Sequence, residues 1–265
     1  MKYCTIALTA AIIIAYVALS SSLLYIPTSA LLIFGFSLEN LIGLVTYSFI
    51  HIGPMHLIGN VLLLVPLGIL AEKKLRFKDY FAIFFLSAAI SALVYAMIKP
   101  ENVLVGASAA VAGLMAAAFM VDIKKAVAAM ILFSLLFAVI TPQVDSFTDN
   151  EASILKNKSA ELEQNLTVID QQIADATQQN DTVAVQALEY AKNETLQSFN
   201  STVTQQTNIE IGKEREEETE TNQIVHLVGA MTGMAYLLLF RRDIIWEMPS
   251  QLISRKSSRK KSRRK

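Results

Sequence analysis

Apolar residues along this chain gather into six long runs, roughly 5–25, 53–71, 80–98, 106–121, 126–141 and 223–240. A helix needs about 20 mostly apolar residues to cross the hydrocarbon of a bilayer, and each run meets or nearly meets that length. The pattern predicts six membrane-spanning helices. The first run follows Lys2, is longer than a signal-peptide core and is not followed by a clear A-x-A site, so a retained span is expected there. Between the first two runs, IPTSALLIFGFSLENLIGLVTYSFI (26–50) is too apolar for a solvated loop, yet is broken by Pro27, Gly35, Gly43 and the Glu39–Asn40 pair. It is expected to lie half-submerged in the outer leaflet. Asp122–Ile123–Lys124–Lys125 predicts a tight turn that makes a helical hairpin of the fourth and fifth spans.

Residues 143–222 follow a different pattern. Leu155, Leu162, Leu166, Ile169, Ile173 and Ala176 step by 7, 4, 3, 4 and 3, which puts them on one helical stripe. Val185, Leu188, Phe199 and Val203 form a weaker second stripe, with QQND (178–181) as the turn between the two. A helical hairpin projecting from the membrane is one reading. Richness in Gln, Thr, Asn and Glu leaves partial disorder open as another, with KEREEETE (213–220) a solvated flank.

Composition agrees with a membrane protein, since 53% apolar residues exceed what one soluble domain of 265 residues ordinarily hides. The net charge of zero is a cancellation. Residues 145–222 hold 16 Asp/Glu against 5 Lys/Arg, and the remainder holds 7 against 18. With six spans, Lys2, AEKKLRFKD, DIKK, RRD and the tail SRKSSRKKSRRK all fall on one side and only Lys99 on the other, so both termini are expected to be cytoplasmic. The tail's eight Lys/Arg in residues 255–265 suit contact with anionic lipid. The acidic segment is then exterior. It carries five N-x-[ST] sequons, at Asn157, Asn165, Asn180, Asn193 and Asn200, and there is none elsewhere. Sugars can be attached at such sites on the exterior face. The single cysteine, Cys4, excludes an intrachain disulfide, and no Cys/His cluster has the spacing of a zinc site.

Polar residues inside spans are costly and mark function by default. All three histidines lie in or beside a span. His51 and His56 belong to SFIHIGPMHLIGN, where Pro54 suits a helix start, and His56 and Asn60 share a face four residues apart. His226 opens the sixth span. Ser108 sits in VGASAAVAG (105–113), where a hydroxyl among small residues is ordinarily helix-packing material. Chain parity changes its weight. Spans two, four and six run in the same direction, so His56, Asn60, Gly106, Ser108 and His226 fall at one depth toward the outer leaflet. Gly229 and Gly233 form a G-x-x-x-G on the His226 helix, and Ala109, Ala112, Gly113, Ala116 and Ala117 line the Ser108 helix, so the two backbones can approach closely. A neutral histidine can take the proton that a serine must lose to become a nucleophile. No carboxylate orients His226, which makes a Ser108–His226 dyad the economical assignment. His56, Asn60 and the Ser108 amide can donate to a developing oxyanion.

The ordered set H-x-x-x-x-H-x-x-x-N (His51, His56, Asn60), G-x-S (Gly106, Ser108) and H-x-x-G-x-x-x-G (His226, Gly229, Gly233) resembles the rhomboid intramembrane serine proteases over residues 5–141 and 223–240. The resemblance implies an all-α membrane protein with a six-transmembrane-helix bundle. On the run and charge pattern, residues 1–142 would hold spans one to five, 143–222 an extracytoplasmic insertion where the family typically has a short mobile loop, 223–242 the sixth span and 243–265 a cytoplasmic tail. The resemblance implies Ser108 as nucleophile, His226 as base, and His56, Asn60 and the Ser108 amide as the oxyanion site, with His51, Gly106, Gly229 and Gly233 in support. Substrates would be single-pass membrane proteins, cut often after a small residue at the cell membrane, with no cofactor, metal or nucleic acid. An extracytoplasmic partner of the insertion is a further expectation. The chain departs from the family at Ala109, where glycine is usual, and at Ala112, where an aromatic often packs on the histidine. It also lacks the Trp-Arg pair of the first outer loop, its one tryptophan being Trp246. A non-catalytic relative that escorts or retains membrane proteins is the alternative, though such a binder needs neither Ser108 nor His226. A small transporter is a third possibility, disfavoured by the lack of paired carboxylates or inverted repeats.

Overall fold

The segment SAAVAGLMAAAFMV forms a helix whose side chains are so small that four neighbours can close around it. The computed structural model describes residues 3–20, 24–219 and 223–244, all helices, turns and loops. In chain order the helices are α1 (Cys4–Leu19), α2 (Thr28–Phe34), α3 (Gly43–Thr46), α4 (Pro54–Glu72), α5 (Phe77–Ile98), α6 (Ser108–Val121), α7 (Ile123–Gln178), α8 (Thr182–Thr219) and α9 (Gln223–Phe240), with a 3-10 turn at Tyr47–Phe49 after α3. Helix α6 is the axis of the bundle and packs against α4, α5, α7 and α9. Its residues Ala109, Ala110, Ala112, Gly113, Ala116, Ala117 and Ala118 are all buried. Small side chains make such close packing possible, and close backbone contact is what holds helices together where lipid removes the hydrophobic drive.

Helices α4, α5, α7 and α9 are long and apolar enough to cross a membrane, while α1 and α6 are shorter apolar helices of 16 and 14 residues. The first apolar run is corrected here. Helix α1 stops at Leu19, and Leu24, Tyr25 and Ile26 are buried inside the protein rather than continuing a lipid-facing span. Ile26 donates its amide to the Ile52 carbonyl at 3.0 Å, so this stretch is tied to the entrance of α4.

Helix α7 runs unbroken for 56 residues through Pro142, carrying the fifth apolar run directly into the acidic segment. Proline in a helix interior forgoes one hydrogen bond to the carbonyl four residues back, but the chain on both sides is already helical and continues. At 1.5 Å per residue α7 is about 84 Å long, far more than the roughly 30 Å of a bilayer core. It turns at Gln179–Asp181, with Asn180 in the left-handed region at φ 57°, and α8 returns alongside it. The stripe Leu155, Leu162, Leu166, Ile169, Ile173 and Ala176 is half-buried or buried, and Val185, Leu188, Phe199 and Val203 are half-buried on α8. Helix α8 continues through Thr219, so residues 213–219 of KEREEETE are helical, and Glu220 lies outside the described residues.

The end of the bundle away from the hairpin is fastened by two carboxylates. Glu72 accepts from the amides of Cys4 (2.9 Å) and Thr5 (3.2 Å) and from the Thr5 hydroxyl (2.8 Å). A carboxylate there satisfies first-turn donors that have no partner within α1, and it complements the helix dipole. Asp79, also buried, accepts from Arg76 (2.8 Å), Tyr236 (3.0 Å) and Arg241, joining the start of α5 to the end of α9. Glu72→Ala takes this acceptor from the Cys4 and Thr5 amides, while the Thr5 hydroxyl keeps the Tyr80 hydroxyl at 2.9 Å, and is expected to lower stability by about 2 kcal/mol. Thermal unfolding in detergent micelles measures this, and an unchanged midpoint would show that the cap contributes nothing. Lys2, Trp246 and the basic tail lie outside the described residues.

Candidate active site

Between α4, α6, α7 and α9 lies a cavity of about 400 Å³, lined at one end by Ser108, His226, His56 and Asn60. Each polar group comes from the beginning of its helix: His56 and Asn60 from the first two turns of α4, Ser108 as the first residue of α6, and His226 as the fourth residue of α9.

Backbone pairing delivers Ser108 to this place. Phe36 and Leu104 exchange hydrogen bonds of 2.9 and 2.8 Å, the Gly106 amide donates to the Tyr47 carbonyl at 2.9 Å, and the Tyr47 hydroxyl donates to the Ala88 carbonyl at 2.8 Å. The Ala107 amide donates to Nε2 of His51 at 3.4 Å. Because Nε2 accepts, a neutral His51 carries its proton on Nδ1. His51 is fully buried, and its ring meets that of His56 edge-on at 5.0 Å. It positions the loop and does not line the cavity.

Gly106 is required twice over. Its φ is +110°, and a Cβ there would lie 2.5 Å from Nε2 of His56. The imidazole of His56 therefore rests against the backbone two residues before Ser108. Helix α6 has no side-chain cap, so the Ser108 amide is one of the first-turn N–H groups without a helical acceptor. Asn60 is buried and donates one amide hydrogen to the His56 carbonyl at 2.8 Å, and its side chain carries a second. An uncapped amide, an imidazole and a carboxamide thus converge near the serine.

His226 is exposed in the cavity wall, while Ser108 is half-buried. The helix that carries the histidine is located by its contacts with α6 and α5. A Cβ on Gly229 would lie 2.2 Å from the Ala109 carbonyl oxygen, and one on Gly233 would lie 2.4 Å from that of Gly113. Ser91 on α5 donates to the Val225 carbonyl at 3.1 Å, fixing the residue that precedes His226. Sequence reading passed over Ser91 and Tyr47. A serine inside an apolar run was the available signal for Ser91, but its partner lies 134 residues away.

Of the departures, Ala109 is fully buried against α9, and Ala112 lines the cavity one turn beyond Ser108. The base of the hairpin also reaches the rim. Ile209, buried on α8, packs with Tyr25, Ile26, Ile50, Ile52 and Val105, and Ile52 and Val105 also line the cavity. A Cβ at Gly212 would lie 2.2 Å from the Tyr25 ring. Asn157, Asn165, Asn180, Asn193 and Asn200 are all exposed on the hairpin.

No curated protein and no solved structure matches the chain. Residues 38–148 match the family model described as Rhomboid domain, a stretch that contains His51, His56, Asn60, Gly106 and Ser108. That match supports a rhomboid assignment for this stretch of the chain.

Proposed function

We propose that this protein is an intramembrane serine endopeptidase that hydrolyses a peptide bond of single-pass membrane proteins through a Ser108–His226 dyad. The observation that carries the proposal is the shared cavity: three helix starts bring Ser108, His226, His56 and Asn60 to one wall-lined space. His226 takes the proton of Ser108 as its oxygen attacks the scissile carbonyl, and then delivers that proton to the leaving amine. The negative charge on the carbonyl oxygen is met by the Ser108 amide, His56 and the free hydrogen of Asn60, each donor typically contributing a few kcal/mol at the transition state. Water then hydrolyses the acyl-enzyme by the same proton path. Neither metal nor cofactor is needed for these steps.

The six apolar helices serve as six spans, α1 and α6 included, with both termini cytoplasmic and the cavity opening toward the exterior leaflet. Exposed Leu32, Ile33, Leu41, Ile42 and Val45 on the segment before α4 suit a half-submerged position in that leaflet. The hairpin of α7 and α8 is then extracytoplasmic and available to an exterior partner. In its native host it is expected to carry sugars on the five exposed asparagines. Treatment with an endoglycosidase should increase electrophoretic mobility, and unaltered mobility would remove the glycosylation.

The function is tested with protein reconstituted in liposomes alongside a single-pass substrate. A fluorophosphonate probe should label the wild type at Ser108, located by peptide mass spectrometry, and the substrate should be cut. If neither labelling nor cleavage occurs, the protein is an escort that binds membrane segments.

A further inference from the structure

The cavity is longer than its polar end requires. Ser108, Ala112 and Met115 stand at i, i+4 and i+7 on α6, so they share one face, and all three line the same cavity. It therefore follows α6 for about 10 Å beyond the serine. The far end is apolar, formed by Met115, Leu63 of α4, and Met130 and Phe133 of α7. Ala112 lies between the serine and this chamber. Its methyl group is the smallest side chain that could stand there short of glycine, and any larger one would occupy the passage.

We propose that Ala112 is a specificity-determining residue: it opens the apolar chamber to a large apolar side chain, such as Leu, Met or Phe, carried by the substrate residue next to the scissile bond. The inference rests on the peptidase reading. A side chain arriving from lipid gains little by leaving water, so selection depends on packing. An alanine side chain leaves the chamber unfilled and its walls without contacts on that side, whereas a leucine or phenylalanine restores them. Methionines at positions 115 and 130 suit occupants of differing shape, because the unbranched thioether side chain adapts.

The test compares two otherwise identical single-pass substrates, bearing Leu or Ala on the acyl side of the cleaved bond, in liposomes. The measured quantity is the ratio of kcat/KM for Leu over Ala. Wild type is expected to give a ratio of at least one, and Ala112→Phe to lower it about tenfold, the low end of what a pocket gains from methylene-scale fit. The ratio is insensitive to a general loss of activity. Should Ala112→Phe fail to fold, Ala112→Val reads the same quantity with a smaller fall. A wild-type ratio below one, or a ratio that no Ala112 substitution moves, overturns the proposal. Ser108-dependent cleavage of the Ala substrate alone overturns only this inference. Cleavage of neither substrate, with Ser108 unlabelled, overturns the peptidase reading and this inference together.

Discussion

Ser108→Ala is expected to reduce cleavage by at least about 10⁴-fold while leaving the protein folded, inserted and able to bind substrate. The magnitude follows from the role: removing the nucleophile of a serine peptidase leaves only the residual acceleration that binding and oxyanion stabilisation provide. His226→Ala should fall to a similar floor, because a serine without its base is as inert as a base without its serine. The double variant should be no slower than either single one, since residues that act as a unit are not additive. Ser108 is half-buried at the start of α6 and its replacement removes one oxygen atom, so no packing change accompanies the loss. Cleavage rates in liposomes and retention of substrate in pull-downs measure the two parts separately. Persistent cleavage by Ser108→Ala would assign the nucleophile elsewhere.

The second large effect is expected two turns from the chemistry. In Gly233→Val the added Cβ would lie 2.4 Å from the Gly113 carbonyl oxygen and 2.8 Å from its carbonyl carbon and Cα, all of them backbone atoms of α6. Backbone cannot rotate aside as a side chain can, so α9 must move away from α6. Overpacking of this kind costs about 1–3 kcal/mol in stability. The larger consequence is for the site, because α9 carries His226 and α6 carries Ser108. A displacement of about 1 Å between reacting groups can cost roughly 100-fold in rate. Gly233→Val is therefore expected to lose cleavage by that factor even where it is inserted normally, whereas Gly233→Ala should lose less because it adds a single methyl. Unchanged cleavage by Gly233→Val would show that the approach of α6 and α9 does not set the dyad geometry.

These two expectations draw on different kinds of information. Ser108 and His226 could be chosen from the chain because each lies at the start of an apolar run and the runs alternate in direction. Depth in a membrane is counted along the sequence, so groups far apart in the chain can be aligned without knowing how helices pack. The G-x-x-x-G at 229–233 was likewise legible as a close-approach face, since only small residues permit one. The residue it meets was not. That Gly229 abuts Ala109 and Gly233 abuts Gly113 depends on the rotation of two helices about their axes, and the small residues of α6 offer several faces that would serve.

The end of the first apolar run was misread for a related reason. Leu24, Tyr25 and Ile26 look like lipid-facing residues because burial in protein and burial in lipid demand the same side chains, and only the packing of Ile209 and Gly212 on this stretch shows which applies.

The sequence by itself determined that this chain is helical, carries apolar runs of membrane-spanning length and resembles rhomboids, and it singled out polar residues at the starts of three of those runs. Those properties follow from runs, periods and spacings, which are local or can be counted along the chain. Tertiary structure decided how far the cavity extends past Ser108 toward Met115, that His51 holds the Ala107 amide instead of lining the site, that Ser91 secures the residue before His226, and that the hairpin base packs on the cavity rim. Each of these is a contact between segments dozens to more than a hundred residues apart, fixed by helix rotation and side-chain volume, and neither quantity is written in a hydrophobic pattern.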